Sequence, residues 1–260
     1  MRDKLKNKEF FQNYVNRQPN RIIKFKNLIE QNLNNPNADI KGLYYDIFRI
    51  SYQQLIAQYS LGEPISKIIE LYYETVSYMQ RGWDKVGGYY QMVWMLSLGI
   101  LLRVEGETFN KLVQLVDRDK EDDFIINYLI AFRVKNRTLK YGLEFPDPYK
   151  YLSYVIEVRD KTKAPELMLQ YLSKHWYQGH KDAYWYDNHK SKHDTYFGYW
   201  SFESAAVTAI LGLDDSRYRE QQYYPKDLVD YYRNTGKGNN NPPPALPPLP
   251  VFERNDADKE

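Results

Sequence analysis

Apolar residues recur at steps of three and four along most of the chain, which is the spacing that lines one face of an α-helix. The clearest stretch covers residues 37–60, and a second begins at Pro64, a residue suited to the first turn of a helix. The Gly62-Glu63-Pro64 break between them predicts a turn, so the two stretches predict an antiparallel helical hairpin. Strand-like alternation of apolar and polar residues is hard to find anywhere in the sequence.

The run from Tyr89 to Val104 follows Gly87-Gly88 and leaves few polar positions. A helix that is apolar on all sides is buried, so this run predicts the central helix of the fold. At the N-terminus, two apolar groups predict two more helices that are separated near Pro19. Further helical patterns cover residues 109–116, 125–132, 149–158 and 165–175. Together these segments predict an all-α protein, a multi-helix bundle built from antiparallel helical hairpins.

Two changes in composition suggest how the chain is divided. Residues 117–123 read D-R-D-K-E-D-D, a polar run that is typical of a solvated loop between helices, and we place a boundary there. Near residue 236 the sequence becomes rich in glycine, asparagine and then proline, and such a segment does not continue a helix. We therefore expect helical subdomains at 1–122 and 123–235 and a Pro-rich flexible tail at 236–260, which is either a linker or a docked Pro-rich ligand segment.

Composition excludes several classes of function. With 260 residues, of which 43% are hydrophobic, the chain is long and apolar enough to fold. The 36 Lys and Arg residues nearly balance the 34 Asp and Glu residues along the chain, which disfavours direct binding of nucleic acid. The absence of cysteine excludes disulfides, thiolate zinc sites and thiol nucleophiles. No apolar run approaches the roughly 18 residues of a membrane span, and the first residues lack the apolar core of a signal peptide, so we expect a cytoplasmic protein without membrane contact.

The four histidines all lie between residues 175 and 193 and are the first candidates for catalytic or metal chemistry. His189 and His193 are four positions apart, a spacing that would place both imidazoles on one face of a helix. However, the chain contains no H-E-x-x-H, G-x-S-x-G, Walker A or G-x-G-x-x-G motif. We interpret the histidines as loop residues with local hydrogen bonds, and we expect no catalytic residue, no metal and no cofactor.

Tyrosine is unusually frequent, with 26 residues, and the densest aromatic stretch runs from Trp176 to Phe202. Tyrosine and tryptophan are common anchors at protein interfaces, and interleaved acids suit a basic partner surface. The candidate contact residues in and after this stretch are Tyr184, Trp185, Tyr186, Asp187, Asp194, Glu203, Asp214 and Asp215. If these acids do not contribute, the acidic run at 117–123 is the next candidate.

Three sequence blocks stand out in this region: Y-F-G-Y-W-S-F-E-S-A-A-V at 196–207, L-G-L-D-D-S at 211–216 and Y-P-K-D-L at 224–228. In their order and spacing they resemble the C-terminal signature of PoNi-type immunity proteins. The N-terminal half also resembles the helical N-terminal domain of that family, particularly the long Tyr/Ile helices and G-W-D-K at 82–85. The resemblance covers roughly residues 5 to 233.

The resemblance implies a cytoplasmic immunity protein that neutralises a cognate, secreted antibacterial PoNe DNase toxin. It would do so by binding the toxin and blocking access of DNA to the active site, so the partner is the DNase and the oligomeric state stays open. The alternative is a generic α-helical scaffold for another partner. Such a scaffold would show a fixed repeat of about 34 to 47 residues, which the sequence lacks.

The first block also has a physical interpretation of its own. Glu203 stands among aromatic and small residues, so it either points to solvent or is buried with a partner. Asp214 and Asp215 follow the expected helix stop at Gly212 and could cap the next segment. Four residues are predicted to share an inner helical stripe: Phe197, Ser201, Ala205 and Ile210.

Overall fold

The structure, a computed structural model, describes residues 1–86 and 88–236. Regular structure within these ranges is helical, without any β-strand, which confirms the all-α prediction. Among the described helices, none is long and apolar enough to cross a membrane. The α-helices are α1 (Lys8–Asn32), α2 (Ile40–Leu61), α3 (Ile65–Gly82), α4 (Tyr89–Leu101), α5 (Gly106–Arg118), α6 (Phe124–Ala131), α7 (Pro146–Glu157), α8 (Ala164–Gln170), α9 (Trp176–Gly179), α10 (Phe202–Leu211) and α11 (Lys226–Thr235).

Shorter helical segments lie between some of these α-helices. A π-helical segment, Tyr171–His175, joins α8 to α9, and 3₁₀ turns cover Lys161–Lys163 and Asn188–Lys190. The predicted Pro-rich tail at 236–260 lies outside the described residues except for its first residue.

The chain turns between α2 and α3 at the predicted break. Gly62 ends α2 with φ of 99°, a backbone conformation that glycine adopts at little cost, and its N–H donates to the Tyr59 carbonyl at 3.0 Å. The two helices pack against each other, with the Ser51 and Thr75 hydroxyl oxygens 2.7 Å apart. α1 also packs against α2, so these three helices form one layer of the bundle.

The prediction of two N-terminal helices is wrong, because α1 continues through Pro19. A proline inside a helix removes a backbone hydrogen bond and costs about 3 kcal/mol. Both halves of α1 nevertheless bury apolar side chains, Phe11 and Tyr14 before the proline and Ile22 and Ile29 after it. Packing against α2 therefore outweighs the local cost of the proline.

α4 is the predicted central helix, and every one of its residues from Tyr89 to Leu101 is buried. It contacts α5 and α6 on one part of its surface and α10 on another. The Tyr72 hydroxyl of α3 donates to the Met95 carbonyl of α4 at 2.9 Å. Because each large apolar side chain contributes about 1.5–3 kcal/mol when fully buried, α4 is a major source of stability.

Residues 119–123 of the acidic run form the connection between α5 and α6, as the polarity of the run predicted, and its first two residues end α5. Its last residue, Asp123, is buried and caps α6 by accepting a hydrogen bond from Ile126 N–H at 3.0 Å. Asp123 also accepts from the Glu144 N–H at 3.0 Å, which ties the loop to the segment before α7. The apolar core is continuous across this connection, and the division into subdomains at 122 stays a prediction.

Candidate functional site

The first C-terminal block begins with a non-helical segment. The predicted helical stripe is wrong for Phe197 and Ser201, because α10 begins only after them. Gly198 has φ of 115°, and a Cβ atom there would overlap the Ser60 hydroxyl. That hydroxyl is 3.2 Å from the Phe197 carbonyl and accepts a hydrogen bond from the Trp200 indole at 2.9 Å. A close approach to α2 therefore determines the shape of the block.

The N-terminus of the chain is bound to the same block. The Tyr196 hydroxyl donates to Asp3 at 2.5 Å, and Arg2 pairs with Asp227 of α11 at 2.5 Å. Arg2 also donates to the Tyr59 carbonyl at 3.0 Å. Burial raises the pKa of Asp3, although the hydrogen bond from Tyr196 acts in the opposite direction. These contacts hold the first residues, α2, the block and α11 together.

Glu203 is fully buried, which corrects its place among the candidate contact residues. Its Oε1 atom accepts hydrogen bonds from the Tyr171 hydroxyl at 2.9 Å, the Trp176 indole at 2.6 Å and the Ser201 hydroxyl at 2.8 Å. Within the described chain its Oε2 atom has no hydrogen-bond partner. Burial raises the pKa of Glu203 above its usual range, and its own backbone N–H together with the three side-chain hydrogen bonds only partly offsets that effect. Glu203 therefore organises the core rather than a surface.

Trp185 is also buried, so its side chain does not belong to an exposed surface. Its ring centre lies 5.6 Å from that of Trp94, 5.7 Å from Trp176 and 5.2 Å from Tyr199. The His180 ring belongs to the same cluster, with its centre 4.9 Å from that of Trp185. The aromatic density of this stretch therefore serves mainly to fill the core, because large rings packed together bury much apolar surface.

The histidines make local contacts. His180 Nδ1 lies 2.5 Å from the Trp176 carbonyl, and burial lowers the pKa of His180 to about 3, so its imidazole is neutral at pH 7. His189 Nδ1 lies 3.2 Å from the Tyr199 hydroxyl. Over residues 1–86 and 88–236, no three His, Cys, Asp or Glu side chains are arranged to hold a metal ion.

Asp215 is the third candidate contact residue that is buried in the structure. Its carboxylate accepts from Arg233 at 2.8 Å and from Arg219 and the Tyr224 hydroxyl at 3.1 Å each. Burial alone would raise the pKa of Asp215, but the hydrogen bond and charge of Arg233 together with the other donors lower it below its usual value. Asp215 therefore joins the end of α10 to α11 and is not an exposed contact residue.

The remaining candidates lie at the surface. Tyr184 is 48% exposed, Asp194 and Asp214 are exposed, and Tyr186 and Asp187 are partly exposed. Four of the five belong to one segment, residues 181–194, which we call the candidate loop. Asp214 lies in the turn after α10.

Two of the three acids of the candidate loop, Asp187 and Asp194, already have partners. Asp187 accepts from the Tyr177 hydroxyl at 2.7 Å and pairs with Lys190 at 2.9 Å, and Asp194 pairs with Arg17 of α1 at 2.6 Å. The loop as a whole carries equal numbers of aspartates and lysines, namely Asp182, Asp187, Asp194, Lys181, Lys190 and Lys192. It is therefore aromatic and polar rather than acidic.

A second feature is a small cavity, of which the sequence analysis had indicated only one lining residue. Trp83, Lys85, Tyr89, Glu121 and Glu144 line a cavity of about 10 Å³ where the α3–α4 and α5–α6 connections meet the segment before α7. We call it the junction cavity. Glu121 belongs to the acidic run that the sequence had indicated, but Glu144 lies in a different segment, and no local spacing connects the two. The pair could be recognised only in the tertiary structure.

Tyr90 of α4 is a buried ring that is affected by charges from both the candidate loop and the junction cavity. Burial and then the charges of Asp182 and Glu144 raise the pKa of Tyr90 to about 12. Its ring centre lies 5.1 Å from that of Phe145 and 6.5 Å from Trp185. The charges of an acid of the loop and an acid of the cavity thus both act on one buried aromatic ring.

Comparison with known proteins identifies the family. The family model described as "PoNe immunity protein (PoNi), N-terminal" matches residues 2–114, and the model "PoNe immunity proteins (PoNi), C-terminal" matches residues 121–228. The crystal structure of protein PA2201 from Pseudomonas aeruginosa is similar in fold, with a TM-score of 0.71 and 18% identity over 90% of this chain and 92% of that chain. No curated protein matches the sequence. Because the two family models together span most of the chain, it belongs to the PoNi family and is an immunity protein against a PoNe DNase toxin, not an enzyme.

Proposed function

We propose that this chain neutralises its cognate PoNe DNase in the cytoplasm by binding the nuclease domain and keeping DNA out of its active site. The observation that carries the proposal is the match of both PoNi models, in order, along residues 2–228. Cytoplasmic action follows from the chemistry of the target, because the chromosome that a DNase attacks lies there. Direct binding requires no catalytic group in the inhibitor.

The candidate loop supplies the surface for this binding. Tyr184 and Tyr186 offer aromatic side chains at the surface, and such residues often provide most of the binding energy at an interface. The paired charges of Asp187 and Asp194 can exchange their present partners for cations of the toxin, although such exposed pairs contribute little, about 0–1 kcal/mol each. We therefore assign the main energy to the aromatic residues and a smaller part to these acids.

Co-expression is the first test. Cells that produce the cognate PoNe DNase domain should grow when this chain is present, and the two proteins should purify as a stoichiometric complex. Tight inhibitor complexes reach a Kd near 1 nM, or about −12 kcal/mol. Failure of both rescue and co-purification would show that the chain serves another partner, as the scaffold alternative requires.

The access mechanism needs a separate test. A catalytically inactive DNase domain bound to a fluorescent DNA duplex should release the duplex when this chain is added. A stable ternary complex of DNase, DNA and this chain would contradict the proposed mechanism while leaving immunity intact.

Variants of the loop locate the surface. Tyr184→Ala should weaken the complex by tenfold or more if Tyr184 is an anchor worth above about 1.4 kcal/mol. Asp194→Lys should reduce the association rate mainly at low salt, because exposed charges act at long range only there. Glu70→Lys on α3 is the matched control, since α3 contacts α2 and α5 rather than the loop.

A further inference from the structure

A cleft of about 230 Å³ lies where the first residues of the chain meet the end of α2 and the segment before α11. Three aromatic side chains that line it are buried, each at most 4% exposed: Tyr59, Trp200 and Tyr224. Two of them belong to the C-terminal blocks at 196–207 and 224–228. Most of the other lining residues are polar or charged, so the cleft combines aromatic walls with a charged rim.

The charged side chains on this rim do not cancel. Four are basic and two are acidic, namely Arg2, Lys4, Arg219, Lys226, Glu220 and Asp227, and we call the site that they form the basic cleft. Both acids are already paired. Asp227 lies 2.5 Å from Arg2, and Glu220 lies 2.7 Å from Lys226. The two remaining basic residues are therefore not neutralised by any acid that lines the cleft.

Donors remain in the basic cleft for one further carboxylate. Arg219 is occupied, because it pairs with Asp215 and Asp230, which do not line the cleft. Lys4 is exposed and has no ion pair within the described chain. The hydrogen bonds of the Arg2 guanidinium use its Nε and Nη1 atoms and leave Nη2. An ammonium group and a guanidinium nitrogen can therefore donate to an anion in the cleft.

The basic cleft adjoins the candidate loop. Tyr223, which lies between two residues that line the cleft, stacks on Tyr177 with ring centres 5.2 Å apart. Tyr177 in turn stacks on Tyr186 of the loop, with ring centres 4.6 Å apart. All three tyrosines are partly exposed. A partner that covers the loop therefore reaches the cleft across this row of rings.

We propose that the basic cleft receives an acidic side chain, an aspartate or a glutamate, from the PoNe DNase. The inference rests on the proposed function and names the chemistry of one contact within it. Small-molecule sites typically measure about 300–1,000 Å³ and a helix is about 10–12 Å across, so a cleft of about 230 Å³ suits a single side chain. Lys4 and Arg2 would donate to its carboxylate, and Trp200 would contact its methylene groups.

A protein carboxylate fits this site better than the phosphates of DNA do. Duplex DNA carries one charge per about 1.7 Å of helix axis, so a protein that binds it neutralises a row of phosphates. The basic cleft has one lysine without an ion pair, and Glu220 and Asp227 on its rim would repel neighbouring phosphates. A site for one acid beside the aromatic loop would instead fix the orientation of a protein partner.

The test is the affinity of the full chain for a catalytically inactive form of the cognate DNase domain. Lys4→Glu places a carboxylate where that of the partner should lie, so it should weaken the complex at least tenfold, most strongly at low salt. The matched control is Lys24→Glu, which makes the same change of charge at an exposed position about 24 Å along α1 from Lys8. The control should alter affinity less than threefold. A Lys4→Glu affinity within threefold of the wild type would overturn the proposal.

A second variant separates a lost contact from repulsion by the new acid. Lys4→Met removes the ammonium but introduces no negative charge, and it should still weaken the complex at least threefold. Wild-type affinity of Lys4→Met would contradict the contact even if Lys4→Glu bound weakly. Both variants should melt at the wild-type temperature, because Lys4 is exposed and unpaired within the described chain, and this result excludes misfolding.

Nucleic acid is the alternative occupant that the same variants test. The wild-type chain should not bind a fluorescent DNA duplex at concentrations that saturate the DNase domain. Duplex binding that Lys4→Glu abolishes would overturn the proposal in favour of a phosphate site.

Charge exchange identifies the acid of the toxin. Each aspartate and glutamate of the inactive DNase domain is replaced by lysine and combined with Lys4→Glu in a double-mutant cycle. One of these replacements should weaken binding to the wild-type chain and restore binding to Lys4→Glu, with coupling of at least tenfold. Absence of any coupled acid, with wild-type binding intact, overturns the inference alone. Absence of wild-type binding instead overturns the proposed function.

Discussion

Glu203 and Glu144 both have a pKa above the usual range of a glutamate, but their surroundings differ. One oxygen of Glu203 accepts three hydrogen bonds from side chains of the same chain, and the residue is inaccessible. Glu144 is exposed and lines a cavity, where a hydrogen bond with Glu121 and the charge of Glu121 help to raise its pKa, while Lys85 pairs with Glu121 at 3.3 Å. A buried acid with three donors from its own chain supports the core, whereas an exposed acid beside a second carboxylate makes stability depend on pH.

The largest expected effect comes from removing the buried carboxylate. Glu203→Ala leaves the Tyr171, Trp176 and Ser201 donors without their acceptor and creates a cavity, so unfolding should become easier by about 3–5 kcal/mol. Glu203→Gln keeps one acceptor oxygen and should cost far less. Urea denaturation measures both changes, and equal losses would mean that the three hydrogen bonds do not matter.

The second effect concerns the backbone that positions this region. Gly198→Ala should cost about 2–3 kcal/mol, because φ is 115° and the added Cβ would overlap the Ser60 hydroxyl. Gly212→Ala is the matched control: its φ is 63°, a Cβ there would have no described atom within 4 Å beyond its own residue and chain neighbours, and the expected cost is about 1 kcal/mol. The comparison fails if chemical denaturation ranks the two variants in the opposite order.

Neighbouring aspartates give a smaller contrast. Asp215→Asn removes the charge that Arg219 and Arg233 contact, and it should lower the free energy of unfolding by about 2 kcal/mol. Asp214→Asn should change it by less than about 0.5 kcal/mol, since asparagine can still accept the Ser216 N–H bond that is 3.0 Å long. A thermal melt of each variant checks the difference, and a large loss for Asp214→Asn would place that residue in the core network as well.

The smallest effect is the pH dependence that Glu144 contributes to stability. Its pKa of about 7 in the folded protein lies above the ordinary 4.5, so the folded state binds more protons between these values. The contribution is fully present below pH 4.5 and is lost as the pH rises through 7. Between pH 4.5 and 8, the melting temperature should therefore fall less for Glu144→Gln than for the wild type. The difference is modest because Glu144 is exposed, and parallel curves would show that Glu121 and Glu144 do not share a proton.

The sequence pattern predicted most helices because each buries one face, and that requirement leaves a local period in the chain. It failed at Pro19, where packing of α1 on α2 overrides a strong local signal. It failed again at Phe197 and Ser201, because the contact between Gly198 and Ser60 joins positions that are far apart in sequence.

The candidate surface shows the same limit. Aromatic and acidic residues were recognised as a cluster, but composition does not say which side chains face inward. Trp185, Glu203 and Asp215 were therefore selected for a surface and found in the interior, while Tyr184 and Asp194 were selected on the same grounds and lie outside.

What the sequence determined by itself is the all-α class, the central helix α4 and membership of the PoNi family, since helical period and motif order are properties of neighbouring residues. What only the tertiary structure decided is the partner of each acid. Glu203 meets Tyr171 and Trp176, and Glu144 meets Glu121 and Lys85, through contacts between different segments of the chain. Whether a carboxylate is satisfied depends on those contacts, because burial and charge are set by all the segments that surround it and not by the few residues on either side.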